Sequence, residues 1–243
     1  MTGISVDEAK QAIRERVWTL LQETHAVAPG VHGRIPAFHG ADEAADRLTA
    51  LPAWQSARVI KAVPDKAQLP VRVRALAARK LVYMAVPMLA DELPFYSLDP
   101  KNLTVPPAEA ATKEVAARLA RKVNVADMQP VDLVICGSVA VNRDGVRLGK
   151  GAGYSDIEMA LLQEAGLIGP ATTIVTTVHS LQVVNGPLPE TEHDFRVDLI
   201  ITPQEAIQCG PPRRPRGLVW EHLSPEKIAA IPVLAARIGD RPS

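Results

Sequence analysis

Apolar residues recur at helical spacing near the start of the chain and gather into short continuous runs further on. The stretch SVDEAKQAIRERVWTLLQE sets Ile13, Val17, Leu20 and Leu21 on one stripe and opens with Ser5 and Glu8 at capping-box spacing, which predicts an amphipathic helix. Lys10 and Arg14 fall one turn apart on a common face of it. His25 to Gly40 reads as a loop rich in Pro, Gly and His, and Ala41 to Leu51 as a second helix ending before Pro52. SARVIKAVP then predicts a strand, LPVRVRALAAR a helix opened by Pro70, and KLVYMAVPML another strand. After an irregular stretch, Pro107 opens a helix across PAEAATKEVAARLARKV. Pro130 to Asn142 is one unbroken apolar run, expected to be a strand buried on both faces. The helix SDIEMALLQEAG follows and stops at Gly166; ATTIVTTVHS, LQVV and RVDLIITPQEAI add strands. SPEKIAAIPVLAARI reads as one short helix or two, divided at Pro232. Strands alternating with helices predict an α/β fold in three layers, a mainly parallel sheet with helices on both faces.

Composition narrows the functional classes. The 243 residues carry 27 basic and 27 acidic side chains, a formal net charge of zero, so no general nucleic-acid surface is expected. Cys136 and Cys209 are the two cysteines, too few for a disulfide framework or a zinc site, and a reducing cytoplasm is the expected setting. The charged N-terminus lacks a signal core, and no apolar stretch has the length of a membrane span. His25, His32 and His39 lack the spacing of a helical ligand pair and read as surface-loop histidines. The stretch CGPPRRPRG from Cys209 is basic, Pro-rich and expected to be loosely ordered.

The chemistry concentrates in DGVRLGKGAGYSDIEMALL, where four of the chain's 15 glycines (Gly145, Gly149, Gly151, Gly153) stand beside Arg147 and Lys150. The segment lies between a buried strand and a helix, where open α/β sheets bind ligands. It is neither a Walker loop, since Gly151 follows Lys150, nor a G-x-G-x-x-G fingerprint. Alternating glycines expose successive N–H groups as an anion nest, and Asp156 just beyond offers an oxygen ligand for Mg²⁺. Read from the residues alone, the segment is either a phosphate site or a tight glycine-rich turn. Asp156 likewise reads as a metal ligand or as an acid in a helix's first turn, and Asp194 as a ligand or a loop acid.

GVRLGKGAGYSD resembles the signature G-x-R-L-G-x-G-x-G-Y-Y-D of the 5-formyltetrahydrofolate cyclo-ligase (5,10-methenyltetrahydrofolate synthetase) family. AKQAIR is similar to the family's N-terminal K-x-x-x-R helix, and LPETEHDFRVDLIITP to its late acid-bearing segment. HGRIPAFHG, VPDKA, VDLVICGSVAVN and TTVHSLQVVN resemble one branch, the methenyltetrahydrofolate synthetase domain-containing proteins. Animal members of that branch carry an added RNA-recognition domain, and PPRRPRGLVWEHL shows no aromatic RNP pattern, so that domain is not expected here.

The resemblance implies a cyclo-ligase (NagB-RpiA-like) α/β domain over residues 1–208 and a Pro/Arg-rich extension with a short helix over 209–243. It implies ATP on Lys10, Arg14, Arg147, Gly149, Lys150, Gly151 and Gly153, with Mg²⁺ on Asp156 and Asp194. Tyr154, Ser155 and Gln68 would meet the substrate, and no residue is assigned a catalytic proton transfer. The implied protein is a monomer with a small-molecule partner and no membrane partner. The reaction implied is ATP-driven closure of 5-formyltetrahydrofolate to 5,10-methenyltetrahydrofolate through a phosphorylated formyl oxygen. Two departures keep other readings open. Ser155 replaces the second Tyr of the signature, and Gln68 or a neighbour stands where the enzymes carry an acid. The alternatives are the same nucleotide site acting on a different substrate, as in cofactor salvage, or a non-catalytic folate- or nucleotide-binding module.

Overall fold

The computed structural model describes residues 4–214 and 217–240. Its centre is an eight-stranded sheet made from β1 (Val59–Ala62), β2 (Leu81–Ala85), β3 (Phe95–Leu98), β4 (Arg121–Val123), β5 (Leu133–Cys136), β8 (Thr173–Thr177), β10 (Leu199–Ile201) and β11 (Ala206–Gln208). The spatial order is β11-β10-β8-β5-β1-β2-β3-β4. The five central strands run parallel, and β3, β4 and β11 are antiparallel additions at the edges. A second sheet joins β6 (Ala140–Asn142) to β7 (Arg147–Leu148) and β9 (Val183–Val184).

Alternation along the central strands makes two cores. Ile60 and Ala62 of β1 and Leu133 and Ile135 of β5 face α1 (Val6–Glu23), α2 (Ala41–Thr49), α3 (Pro52–Ser56), α4 (Leu69–Ala77), α5 (Pro107–Ala110) and α6 (Lys113–Leu119). Val59, Val134 and Cys136 point the other way, onto α7 (Tyr154–Glu164), α8 (Pro225–Ala230) and α9 (Pro232–Ala235). Strands buried on both faces explain the near-continuous apolar runs, and the three-layer α/β expectation holds. No helix among the described residues is long and apolar enough to cross a membrane.

Local chemistry sets several boundaries. Ser5 and Glu8 close the predicted capping box at the start of α1, with Ser5 N–H donating to Glu8 Oε2 at 2.8 Å. Three expectations need correction. Pro130 to Asn142 is two strands in two sheets; the chain leaves the main sheet after Cys136, at Gly137, a position with no room for a side chain since a Cβ would stand 2.9 Å from Ile35. Pro107 to Val123 is two short helices and an edge strand. Thr112 caps a new helix there, and Arg121–Val123 pair with β3, itself not foreseen. The tail from Cys209 has no helix or strand through Arg214, yet it is tied down. Arg213 reaches Glu190 at 3.0 Å and Arg214 reaches Asp198 at 2.7 Å, while Pro215 and Arg216 lie outside the described residues. Pro232 divides the last helical stretch in two.

Candidate functional site

The glycine segment sits past the carboxyl ends of the central strands because β5 hands the chain to the small sheet there. Gly145 makes the β6–β7 turn at φ +84°, and a Cβ on it would lie 2.3 Å from the Val197 carbonyl, so only glycine fits. Residues 149–153 then form the loop that leads into α7, with Gly151 and Gly153 at φ +97° and +71°. Among the described residues the N–H groups of Lys150, Gly151, Ala152 and Gly153 have no hydrogen-bond acceptor. Successive open N–H groups before a helix N-terminus make an electropositive concavity suited to an anion.

Two cations of α1 and one from β7, just before the loop, gather around it. Arg14 of α1 donates from Nε to Gly149 O at 2.7 Å, and a Cβ at Gly151 would stand 3.4 Å from its guanidinium. Arg147 is buried beneath the loop, donates to Gly137 O at 3.1 Å, and stacks 4.6 Å from the Phe195 ring centre. Lys10 is buried one turn before Arg14 and pairs with Asp194 at 2.6 Å. Two acids complete the set. Asp156 approaches Arg147 at 3.5 Å, too long for a hydrogen bond; its Oδ1 is buried without a donor, and Arg147 Nε is buried without an acceptor. Burial lifts the Asp156 carboxyl above its ordinary range against the pull of Arg147, and the charge of Asp194 adds to the rise. Burial would raise Asp194 too, but bonds from Lys10 and from the Thr191 N–H and hydroxyl outweigh it and hold that carboxyl below the usual range. Desolvation also lowers the Arg14 pKa.

Lys10, Arg14, Arg147, Gly149, Gly151, Asp156 and Asp194 therefore gather in one electrostatic neighbourhood. Lys150 is exposed at the loop and makes no hydrogen bond or ion pair with the described residues. No group of three or more His, Cys, Asp or Glu side chains among the described residues is arranged to hold a metal unaided. No hydrogen bond or ring contact among the described residues joins Gln68 to Tyr154 or Ser155. Tyr154 lies under the ammonium of Lys227, 4.0 Å from its ring centre, and Ser155 is half-buried at the start of α7. Gln68 is fully buried where β1 meets α4 and donates to Thr177 O at 3.2 Å and Thr177 Oγ1 at 3.1 Å. Its Oε1 has no donor and borders Gly137, whose Cβ would be 3.3 Å away.

Several participants carried no sequence signal. Lys227 of α8 donates to Ala152 O in the loop. His222 meets His193 through their Nδ1 atoms at 2.7 Å. With Gly151–Gly153 and Asp156 these residues line a cavity of about 270 Å³. No periodicity or spacing rule links α8 to a loop so far upstream.

A mainly parallel sheet with a glycine-rich loop of open N–H groups at its carboxyl edge, flanked by arginine and lysine, is an α/β arrangement whose loop is suited to an anion. The chain belongs to the 5-formyltetrahydrofolate cyclo-ligase family, whose model matches residues 6–203. It is 39% identical over 240 residues to the methenyltetrahydrofolate synthase domain-containing protein of Mus musculus, a match covering 93% of this chain and 62% of that protein. For the Homo sapiens protein of the same name the identity is 35% over 245 residues, covering 95% and 61%. The chain thus spans about six-tenths of the length of these relatives. The NMR structure of Aquifex aeolicus 5,10-methenyltetrahydrofolate synthetase superposes with a TM-score of 0.53 at 21% identity, covering 88% of this chain and 99% of that one, and so shares the fold.

Proposed function

We propose that this chain is an ATP- and Mg²⁺-dependent protein of the cyclo-ligase type, closing 5-formyltetrahydrofolate to 5,10-methenyltetrahydrofolate. The observation that carries the reading is the convergence of Arg14, Arg147 and Lys10 on a loop whose N–H groups at 150–153 are open. In the proposed reaction the γ-phosphoryl group passes from ATP to the formyl oxygen and ADP leaves. The second folate nitrogen then attacks the activated carbon and gives up its proton to solvent, and the C–O bond to phosphate breaks, closing the ring and releasing phosphate. The protein's part in such chemistry is positioning and charge neutralisation. The loop N–H groups, Lys150 and Arg14 would receive the phosphates, and Arg147 would hold the loop from below.

The acids fit a hydrated Mg²⁺ shared with phosphate oxygens, which takes one or two protein carboxylates rather than a full cage. Asp156 has a buried, donorless Oδ1 and a carboxyl lifted by burial, so its charge lacks a sufficient positive partner without a cation. Mg²⁺ there would neutralise phosphate charge and fix the triphosphate. Two free cysteines, one buried, accord with a cytoplasmic setting as part of the proposal.

One observation favours a second reading, the same nucleotide site with a different acceptor. The resemblance sets Gln68 or a neighbour where the enzymes of the family have an acid, and the Gln68 carbonyl oxygen is neutral and buried without a donor. A ligand N–H would satisfy it, whereas a pterin bound through a carboxylate loses a charge-assisted bond worth about 1.5–3 kcal/mol. The test mixes purified protein with ATP·Mg²⁺ and 5-formyltetrahydrofolate, follows the methenyl product by absorbance, and measures nucleotide binding separately by calorimetry. ATP binding with slow turnover favours the second reading; ATP binding with robust turnover selects the first. Absence of ATP binding defeats both.

A further inference from the structure

The family match ends at residue 203, yet the glycine loop is walled on one side by residues beyond that point. Leu218, His222 and Lys227 line the same cavity as Gly151–Gly153 and Asp156. This wall is anchored, not draped. Ile228, Ile231 and Leu234 are buried in the core beneath α7. Glu164 of α7 accepts the Leu218 N–H at 2.8 Å and pairs with Arg237 at 2.9 Å, and Ser224 caps α8 through the Lys227 N–H.

Lys227 is the charged member of the wall. Its ammonium donates to Ala152 O and rests on the Tyr154 ring, and burial lowers its pKa. An ammonium carries three donors, and among the described residues one of them is used, on Ala152 O. Arg14 grips the other end of the same loop through Gly149 O at 2.7 Å. Two cations, one from each terminal segment, thus take two loop carbonyls, and the loop N–H groups at 150–153 have no acceptor among the described residues.

We propose that Lys227 is a phosphate-contacting residue of this site, supplied by the C-terminal segment, and that the segment makes the loop a two-sided clamp for a polyphosphate ligand. The inference rests on the nucleotide-binding reading. Calorimetry on the full chain with ATP·Mg²⁺ and with inorganic tripolyphosphate tests it, using Lys227→Met, Lys227→Arg and, as a separate control on the loop, Lys150→Ala. Loss of one charge-assisted bond should weaken both ligands about 10-fold in Lys227→Met, with circular dichroism unchanged, and Lys227→Arg should recover most of it. Parent-like binding by Lys227→Met, with Lys150→Ala weakened, overturns the role of Lys227 and leaves the nucleotide reading standing. Equal losses in Lys227→Met and Lys227→Arg also overturn it, because they assign the lysine to loop shape instead of charge. A parent that binds neither ligand overturns the inference and the nucleotide reading together.

Discussion

At the carboxyl edge of the sheet the glycine loop and the Gln68 corner adjoin through Gly137 but follow opposite physical rules. Arg147 donates to Gly137 O from the loop side, and Gln68 Oε1 borders the same glycine from the other. Around the loop lie Lys10, Arg14, Arg147, Asp156 and Asp194, with acids and cations in near balance and polar atoms still unsatisfied. Around Gln68 lie Ile35, Gly137 and Thr177, with no formal charge among them. A charged, incompletely satisfied site gains most from an anionic ligand and its cation. A neutral corner discriminates by shape and by one directed acceptor. Affinity for phosphate and choice of acceptor should therefore be separable by mutation.

The harshest way to break the loop side is to orphan its buried cation. Asp194→Ala leaves Lys10 without its acid at a site where the two side chains are 7% and 13% exposed, and should cost about 3 kcal/mol, measured by urea unfolding. The sign with pH follows from the lowered Asp194 pKa. Its contribution is complete above the unfolded-state value near ~3.9 and is lost as pH falls through the folded one. The variant should thus show a flatter decline in stability toward acid than the parent. Asp156 works in the opposite sense, because a raised carboxyl penalises the fold above its pKa and the penalty fades on acidification. Next in size is Gly151→Val. A β-branched residue at φ +97°, with its Cβ near 3.4 Å from Arg14, should reduce ATP·Mg²⁺ affinity about 100-fold in a calorimetric titration, while costing the fold about 1–2 kcal/mol.

Milder changes sharpen the comparison. Lys150→Ala removes an exposed cation and should lower ATP affinity about 10-fold, with unfolding within about 0.5 kcal/mol of the parent. Ser155→Tyr tests the acceptor side. It should raise turnover of 5-formyltetrahydrofolate by about 3- to 10-fold, the worth of one aromatic contact, and leave ATP affinity alone. A change in ATP affinity instead would show that Ser155 serves the loop's own ligand site and not the acceptor.

Much of this arrangement was legible in one dimension. Capping by Ser5 and Glu8, the Pro52 and Gly166 stops, and the alternation of strands and helices are local or periodic signals, and each matches the structure. The errors have non-local causes. Val123 pairs with Phe95 across the sheet edge, and nothing in an Ala-rich run distinguishes that strand from a continued helix. β5 ends before Gly137, and Ile35 from the loop after α1 packs so close to that glycine that a Cβ would stand 2.9 Å away, a contact no local pattern shows. The candidate residues were recognisable by the spacing of the glycine signature and of Lys10 and Arg14. Their actual partners were not: Lys10 with Asp194, Arg14 with Gly149 O, and Lys227 with Ala152 O join segments far apart in the chain.

By itself, then, the sequence determined the α/β class, the helix caps, the glycine loop and the identity of its charges. Those follow from residue type and from periods of two and 3.6, which need no distant partner. Only the tertiary structure decided which charges meet and which polar atoms are left open, and how the last helices wall the loop. Burial and ion pairing depend on distances between segments the chain brings together only when both faces of the sheet are covered.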